Sequence, residues 1–140
     1  MGLGKHREQI LAALRGARRT SLRDEEAAWR AIEKVVARVI DHGRDGTDRK
    51  ARLDEYIYQL SLIYAHQTGA MPGFTNSESE TRFERFAFAI PVPAELKITR
   101  NLFKAGIRRL DAKHNSRFAN DLKAMRGEDG AQRRPDEYAD

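Results

Sequence analysis

The sequence predicts an all-α protein, a single compact bundle of four or five helices over residues 1–126 with a disordered acidic C-terminal tail at 127–140. Apolar residues recur at steps of three and four along four segments, which is the spacing of a buried helix face. The chain has 140 residues, the length of one ordinary domain. The tail is acidic, contains Gly130 and Pro135, and has almost nothing to bury.

Two helices are predicted before residue 46. The first is short and is followed by Arg18 and Arg19, which suit the negative end of a helix dipole. The second takes Ser21 as its N-cap, with Asp24 three residues later, a pattern close to a capping box. The apolar face of this second helix contains Trp29, Ile32, Val36 and Val39.

A third helix is predicted from Thr47 and Asp48 to Gly69, because Asp is a good N-cap and Gly is a frequent helix terminator. Its apolar residues lie on two sides, and a helix that is apolar on two sides is covered on both. We therefore expect it at the centre of the core. One side contains Leu53, Tyr56, Ile57, Leu60, Ile63 and Tyr64, and another contains Tyr58 and Leu62.

The segment from Ser77 to Ile90 carries two conflicting patterns. Ser77 followed by Glu80 favours a capped helix, whereas Phe86, Phe88 and Ile90 alternate as they would in a strand. A lone strand has no evident partner elsewhere in the chain, and burying it would leave backbone groups without hydrogen bonds. We favour the helix.

The last predicted helix has the longest apolar stripe of the chain. Asn115 and Ser116 mark a place where it can break in two, because Asn terminates and Ser starts helices readily. The stripe contains Leu96, Phe103, Ile107, Leu110, His114, Phe118, Leu122 and Met125.

Basic residues are concentrated in this last helix. Residues 94–126 carry a net charge of +6, which exceeds the +5 of the whole chain. On a helical wheel, Lys97, Arg100, Lys104 and Arg108 follow one flank of the stripe, and Arg109, Lys113 and Arg117 follow the other. Long basic side chains in such places lay their stems on apolar surface and keep their cations available for phosphates.

This charge segregation predicts a small, basic, non-enzymatic accessory protein that binds nucleic acid, or another polyanion, mainly through backbone electrostatics. No helix-turn-helix, zinc finger, basic zipper or RNP motif is evident, so the predicted binding is weakly selective for sequence. A solvated helix face explains the same charges, and DNA is not distinguished from RNA. The predicted contact residues are Lys97, Arg100, Lys104, Arg108, Lys113 and Arg117, aided by Arg15, Arg18 and Arg19.

A second interpretation is a helical interaction or adaptor module whose charges only keep it soluble. It rests on an apolar set that exceeds what one helix face obviously covers, and that would bind a protein partner or a second copy of the chain. Core filling explains the same residues and is the interpretation we favour. The set contains Met71, Phe74, Phe83, Phe86 and Phe88.

A third interpretation comes from the six residues Arg109 to His114. The spacing of Arg109 and His114 resembles the R-x4-H signature of the HEPN ribonucleases, a family of helical bundles that cleave RNA without a metal. The resemblance implies that His114 exchanges protons and that Arg109 stabilises charge on the phosphate. Leu110 departs from the family pattern, in which a polar residue usually follows the Arg, and the family chemistry is normally completed by a second copy.

The composition excludes several classes of site. The chain has no Cys, which excludes disulfides, thiolate catalysis and sulfur-ligated zinc. The four His residues lack the paired spacing of a metal site, and we predict neither a metal nor a cofactor. No apolar run approaches the length of a membrane span, and no secretory signal is recognisable, so we expect a cytoplasmic protein.

Overall fold

A long central helix organises the molecule. The structure is a computed structural model that describes residues 3–16, 21–44, 46, 48–73, 80–91 and 98–133, with residues 44 and 128–133 as backbone. These ranges contain a 3-10 turn at Gly4–His6 and six α-helices, and no strand. The helices are α1 (Arg7–Arg15), α2 (Glu25–Arg44), α3 (Arg49–Thr68), α4 (Arg82–Ala89), α5 (Arg100–Leu110) and α6 (Ser116–Arg133). The all-α prediction is confirmed for this part of the chain.

α3 is buried on two sides, as its pattern predicts. One side joins α1, α2, α4 and α5 in the main core, through residues such as Tyr56, Ile57 and Leu60. The other side contributes Tyr58 and Leu62 to a smaller core against the end of α5 and against α6. α3 therefore separates the two apolar clusters and connects all the other helices, which is why both clusters depend on it.

The predicted ends of α3 are confirmed, whereas the predicted start of α2 is wrong. The Asp48 carboxylate accepts hydrogen bonds from the backbone N–H of Lys50 and Ala51, and Gly69 ends the helix at φ +76°, in the left-handed region that favours glycine. At α2, Asp24 takes the capping place that we predicted for Ser21. Its Oδ1 accepts from the Ala27 N–H at 3.1 Å.

The ambiguous segment is helical at Arg82–Ala89, which confirms the helix over the strand. The capping box is one turn later than the sequence suggested, and Ser77 lies outside the described residues. Thr81 Oγ1 accepts from the Glu84 N–H at 3.1 Å, and Glu84 Oε1 accepts from the Thr81 N–H at 2.8 Å. Phe83 and Phe86 on this helix are fully buried.

The last stripe does break, which raises the helix count in the described ranges from the predicted four or five to six. Asp111 ends α5 in a left-handed conformation, φ 43°. Asn115 joins the two helices, because its Nδ2 donates to the Leu110 carbonyl at 2.9 Å and its Oδ1 accepts from the Phe118 N–H at 3.0 Å. α6 continues to Arg133, past the predicted start of the tail at 127, and residues 134–140 lie outside the described part.

The break also corrects the position of His114. The sequence places His114 on the apolar stripe, but a stripe is continuous only while the helix is. Asp111–Asn115 leave the helical path, and the His114 side chain is 78% exposed.

Candidate nucleic-acid interface

Several arginines are held by carboxylates from other helices. Arg109 of α5 points to Asp54 of α3, and its Nε lies 3.1 Å from both carboxylate oxygens. The hydrogen bond with Asp54 raises the pKa of Arg109 further, so the guanidinium stays charged. The two helices approach closely at Gly106, where an added Cβ would lie 2.3 Å from Ile57 Cδ1. A larger residue at 106 would therefore displace the Ile57 side chain.

Arg117 of α6 is fixed in the same way and by more partners. Its Nη atoms lie 3.3 to 3.4 Å from the Glu55 carboxylate oxygens, and its Nε lies 3.7 Å from Asp121 Oδ2. The guanidinium lies 3.9 Å from the centre of the Tyr58 ring, within cation–π range. Tyr58 in turn donates to Asp121 at 2.5 Å. Burial and this hydrogen bond raise the pKa of Tyr58 above its ordinary range.

Arg100 and Arg15 also face carboxylates. Arg100 Nε lies 3.7 Å from Oε2 of Glu84, a carboxylate with no solvent exposure. Arg15 Nη1 lies 2.9 Å from Oε1 of Glu25, and its other terminal nitrogen lies 3.6 Å from Glu8. Phosphates that bind these residues must compete with carboxylates already in place. We call Arg15, Arg100, Arg109 and Arg117 the clamped arginines.

Three other predicted contact residues lie on α5 or in the turn after it. Arg108 and Lys113 are exposed, and Lys104 is half-buried one turn before Arg108. No carboxylate within the described ranges pairs with Lys104 or Lys113. We call Lys104 and Lys113 the open cations. Lys97, Arg18 and Arg19, which we also predicted as contacts, lie outside the described residues.

A cavity of about 420 Å³ lies beside the open cations. Its apolar wall includes Met71, which is 46% exposed and is the one exposed large apolar side chain in the described ranges. The volume falls within the range of small-molecule sites. The described lining consists of Met71, Pro72, Gly73, Ile107, Arg108, Asp111, Ala112 and Lys113.

A second cavity, of about 350 Å³, lies on the clamped side of the same helix. Its wall includes two arginines, Arg109 and Arg117, and the two carboxylates that hold them, Asp54 and Glu55. The charges in this wall are balanced in pairs, so the cavity offers an anion little net attraction.

Arg109 and His114, whose spacing resembles that of the ribonucleases, contact separate partners. Arg109 binds Asp54, whereas His114 Nδ1 lies 3.1 Å from Asp111 Oδ1 in the turn after α5. No contact given by the described residues joins Arg109 to His114. Acid–base cleavage needs both groups at one phosphate, and nothing in these contacts favours that chemistry.

The aromatic set is mostly core, which is the interpretation the sequence favoured. Phe83 and Phe86 are buried, and Phe88 is half-buried with its ring centre 5.0 Å from that of Phe103. Phe74 lies outside the described residues, which leaves Met71 as the exposed member.

Sequence reasoning missed the carboxylates that hold the arginines. Asp54 precedes Arg109 by 55 positions, and Glu55 precedes Arg117 by 62. No local pattern connects residues at such separations. The one available signal is that Asp54 and Glu55 flank the apolar stripe of α3, as the arginines flank those of α5 and α6.

Within the described ranges, no group of three or more His, Asp or Glu side chains is arranged to hold a metal ion, and no helix is long and apolar enough to cross a bilayer. No protein-family model, no curated protein and no solved structure matches the chain.

Proposed function

We propose that this protein is a small, non-enzymatic accessory protein that binds nucleic acid, or a similar polyanion, through the open cations. One observation carries the proposal: Lys104 and Lys113 have no carboxylate partner within the described ranges, and Lys113 borders the cavity beside α5. Cations that lack internal carboxylate partners bind phosphates without giving up an existing ion pair.

The proposed interface contains fewer residues than the one predicted from charge alone. The clamped arginines Arg100, Arg109 and Arg117 stabilise the packing of α4, α5 and α6, and we assign them no phosphate contact. The predicted partner remains an anionic backbone, because the open cations present no base-specific pair of donors. The resulting affinity depends strongly on salt, since each neutralised phosphate releases counterions.

The test measures the fluorescence anisotropy of labelled single-stranded and duplex DNA and RNA at low salt. A double variant that combines Lys104→Ala and Lys113→Ala is compared with a control double variant that combines Lys34→Ala and Lys50→Ala. Both variants remove two positive charges, but Lys34 and Lys50 are exposed on α2 and α3. We expect the first variant to lose most of the binding and to lower the salt slope by about 1.4 for single strands.

Two outcomes contradict the proposal. If no nucleic acid is retained at low salt, the protein does not bind this class of partner. If the control variant weakens binding as much as the Lys104 and Lys113 variant does, the binding reflects net charge and not this surface.

A further inference from the structure

The cavity beside the open cations has a composition that phosphates do not explain. Phosphate contacts need cations, whereas this wall also presents the apolar side chains of Met71, Pro72 and Ile107 and the carboxylate of Asp111. A ligand that fills it must therefore join an anionic part to a flat apolar part with hydrogen-bond donors at its edge. A nucleotide within a strand has this combination.

We infer that the bound nucleic acid is single-stranded and that one of its unstacked bases enters this cavity while its phosphates lie on Lys113. The inference rests on the proposed function. A base inside a duplex is stacked and paired, and moving it into a pocket costs several hydrogen bonds and stacking contacts. A single strand presents its bases without that cost, and apolar side chains hold an extruded base by its faces.

The position of Asp111 determines which base edge fits. Asp111 lies at the C-terminal end of α5, where the helix dipole places partial negative charge. A carboxylate there accepts hydrogen bonds from an exocyclic amino group, which adenine, cytosine and guanine have. Thymine and uracil present a carbonyl oxygen where cytosine and adenine present the amino group, and a carboxylate repels that oxygen.

The backbone conformation of Asp111 allows this residue to be substituted without loss of the fold. Its φ of 43° is in the left-handed region, which Asn and Gly adopt as readily as Asp. The carboxylate already contacts His114 Nδ1, at 3.1 and 3.2 Å, and keeps further lone pairs for a base. Asp111→Asn and Asp111→Gly therefore remove the charge and preserve the turn.

The experiment compares four labelled ligands of one length by anisotropy: a cytosine single strand, a thymine single strand, a fully abasic strand, and a duplex. DNA and RNA versions are both measured, and either satisfies the inference. We expect the cytosine strand to bind about tenfold more tightly than the abasic strand or the duplex. The thymine strand should bind like the abasic strand.

Variants separate the cavity from the cations. Ala112→Phe fills the cavity and should lower the affinity for the cytosine strand to that for the abasic strand. Met71→Ala, at an exposed wall position, should shift binding in the same direction without risk to folding. Asp111→Asn should remove the preference for cytosine over thymine.

A 2-aminopurine probe reports the base itself. Its fluorescence should rise when the unstacked base enters the cavity of the wild-type protein, and it should not rise with Ala112→Phe.

Failure of the inference is distinguishable from failure of the proposed function. If all four ligands bind with equal affinity and Lys113→Ala weakens each of them, the backbone interface stands and base insertion is wrong. If none binds at low salt, both are wrong. Tighter binding of the duplex than of the cytosine strand also overturns the inference.

Discussion

The cations on the two sides of α5 differ in their partners. On the side facing α3 and α6, Arg109 and Arg117 contact Asp54 and Glu55 across distances of 2.5 to 3.4 Å. On the other side, Lys113 borders an open cavity and has no carboxylate partner within the described ranges. Net charge counts both sides equally. The availability of a cation therefore depends on which groups the fold places next to it.

Arg100 faces a fully buried carboxylate, Glu84, so substitution of Glu84 should have the largest effect on stability. Glu84→Ala removes both the capping box of α4 and the carboxylate that faces Arg100, and the loss of one member of a buried pair costs about 3 kcal/mol or more. Glu84→Gln keeps the capping geometry and removes only the charge, so it should cost less. Urea denaturation measures both. Equal losses of stability would show that only the charge of Glu84 matters. No loss of stability would contradict the interpretation that Glu84 holds Arg100.

Tyr58 supports the clamped side by a hydrogen bond that alkaline pH should weaken. Tyr58→Phe removes the donor to Asp121, and a bond to a charged acceptor is worth about 1.5 to 3 kcal/mol. The pKa of Tyr58 is raised by burial, so its contribution is fully present below the unfolded pKa, which is about 10. It is lost as the pH rises above that value.

The difference in stability between wild type and Tyr58→Phe should therefore narrow above about pH 10. The free energy of unfolding from urea titrations at several pH values measures it. Tyr56→Phe is the control, because Tyr56 is buried on the other side of α3 and its hydroxyl has no hydrogen-bond partner among the described residues. That variant should be as stable as wild type or more so at neutral pH. A constant gap for Tyr58→Phe at all pH values would contradict the prediction.

A matched pair of variants tests the comparison directly. Arg109→Ala and Lys113→Ala each remove one positive charge. Arg109→Ala should lower stability by up to about 1 kcal/mol, because a partly exposed ion pair is weak, and should leave nucleic-acid binding unchanged. Lys113→Ala should leave stability unchanged and lower the salt slope of binding by about 0.7 to 0.9. The reverse pattern would show that the clamped arginines are the interface.

Releasing a clamped arginine should have the smallest effect. Asp54→Asn removes the carboxylate that holds Arg109, so this guanidinium becomes available to a phosphate. Affinity at low salt should rise slightly while thermal stability falls slightly, and Asp54→Asn combined with Arg109→Ala should bind like wild type. Glu33→Gln, at an exposed carboxylate on α2, controls for net charge. An equal gain in affinity from both single variants would mean that net charge alone sets the binding.

Much of the secondary structure was predictable because its causes are local. The Asp48 cap, the Gly69 end and the two apolar sides of α3 follow from neighbouring residues in the chain. The capping positions at Asp24 and Thr81 were missed for a related reason. Several Ser, Thr and Asp residues near each start are competent caps, and packing of the following helix selects among them.

The all-α class, the central position of α3 and the concentration of basic residues in 94–126 can be predicted from the sequence alone. Which of those cations contact carboxylates depends on how the helices pack against one another. Helix caps and apolar stripes act over one or two turns, whereas the contact of Arg117 with Glu55 joins residues 62 positions apart. His114 shows the same limit, because a turn at Asp111 carries it off the stripe on which its spacing placed it.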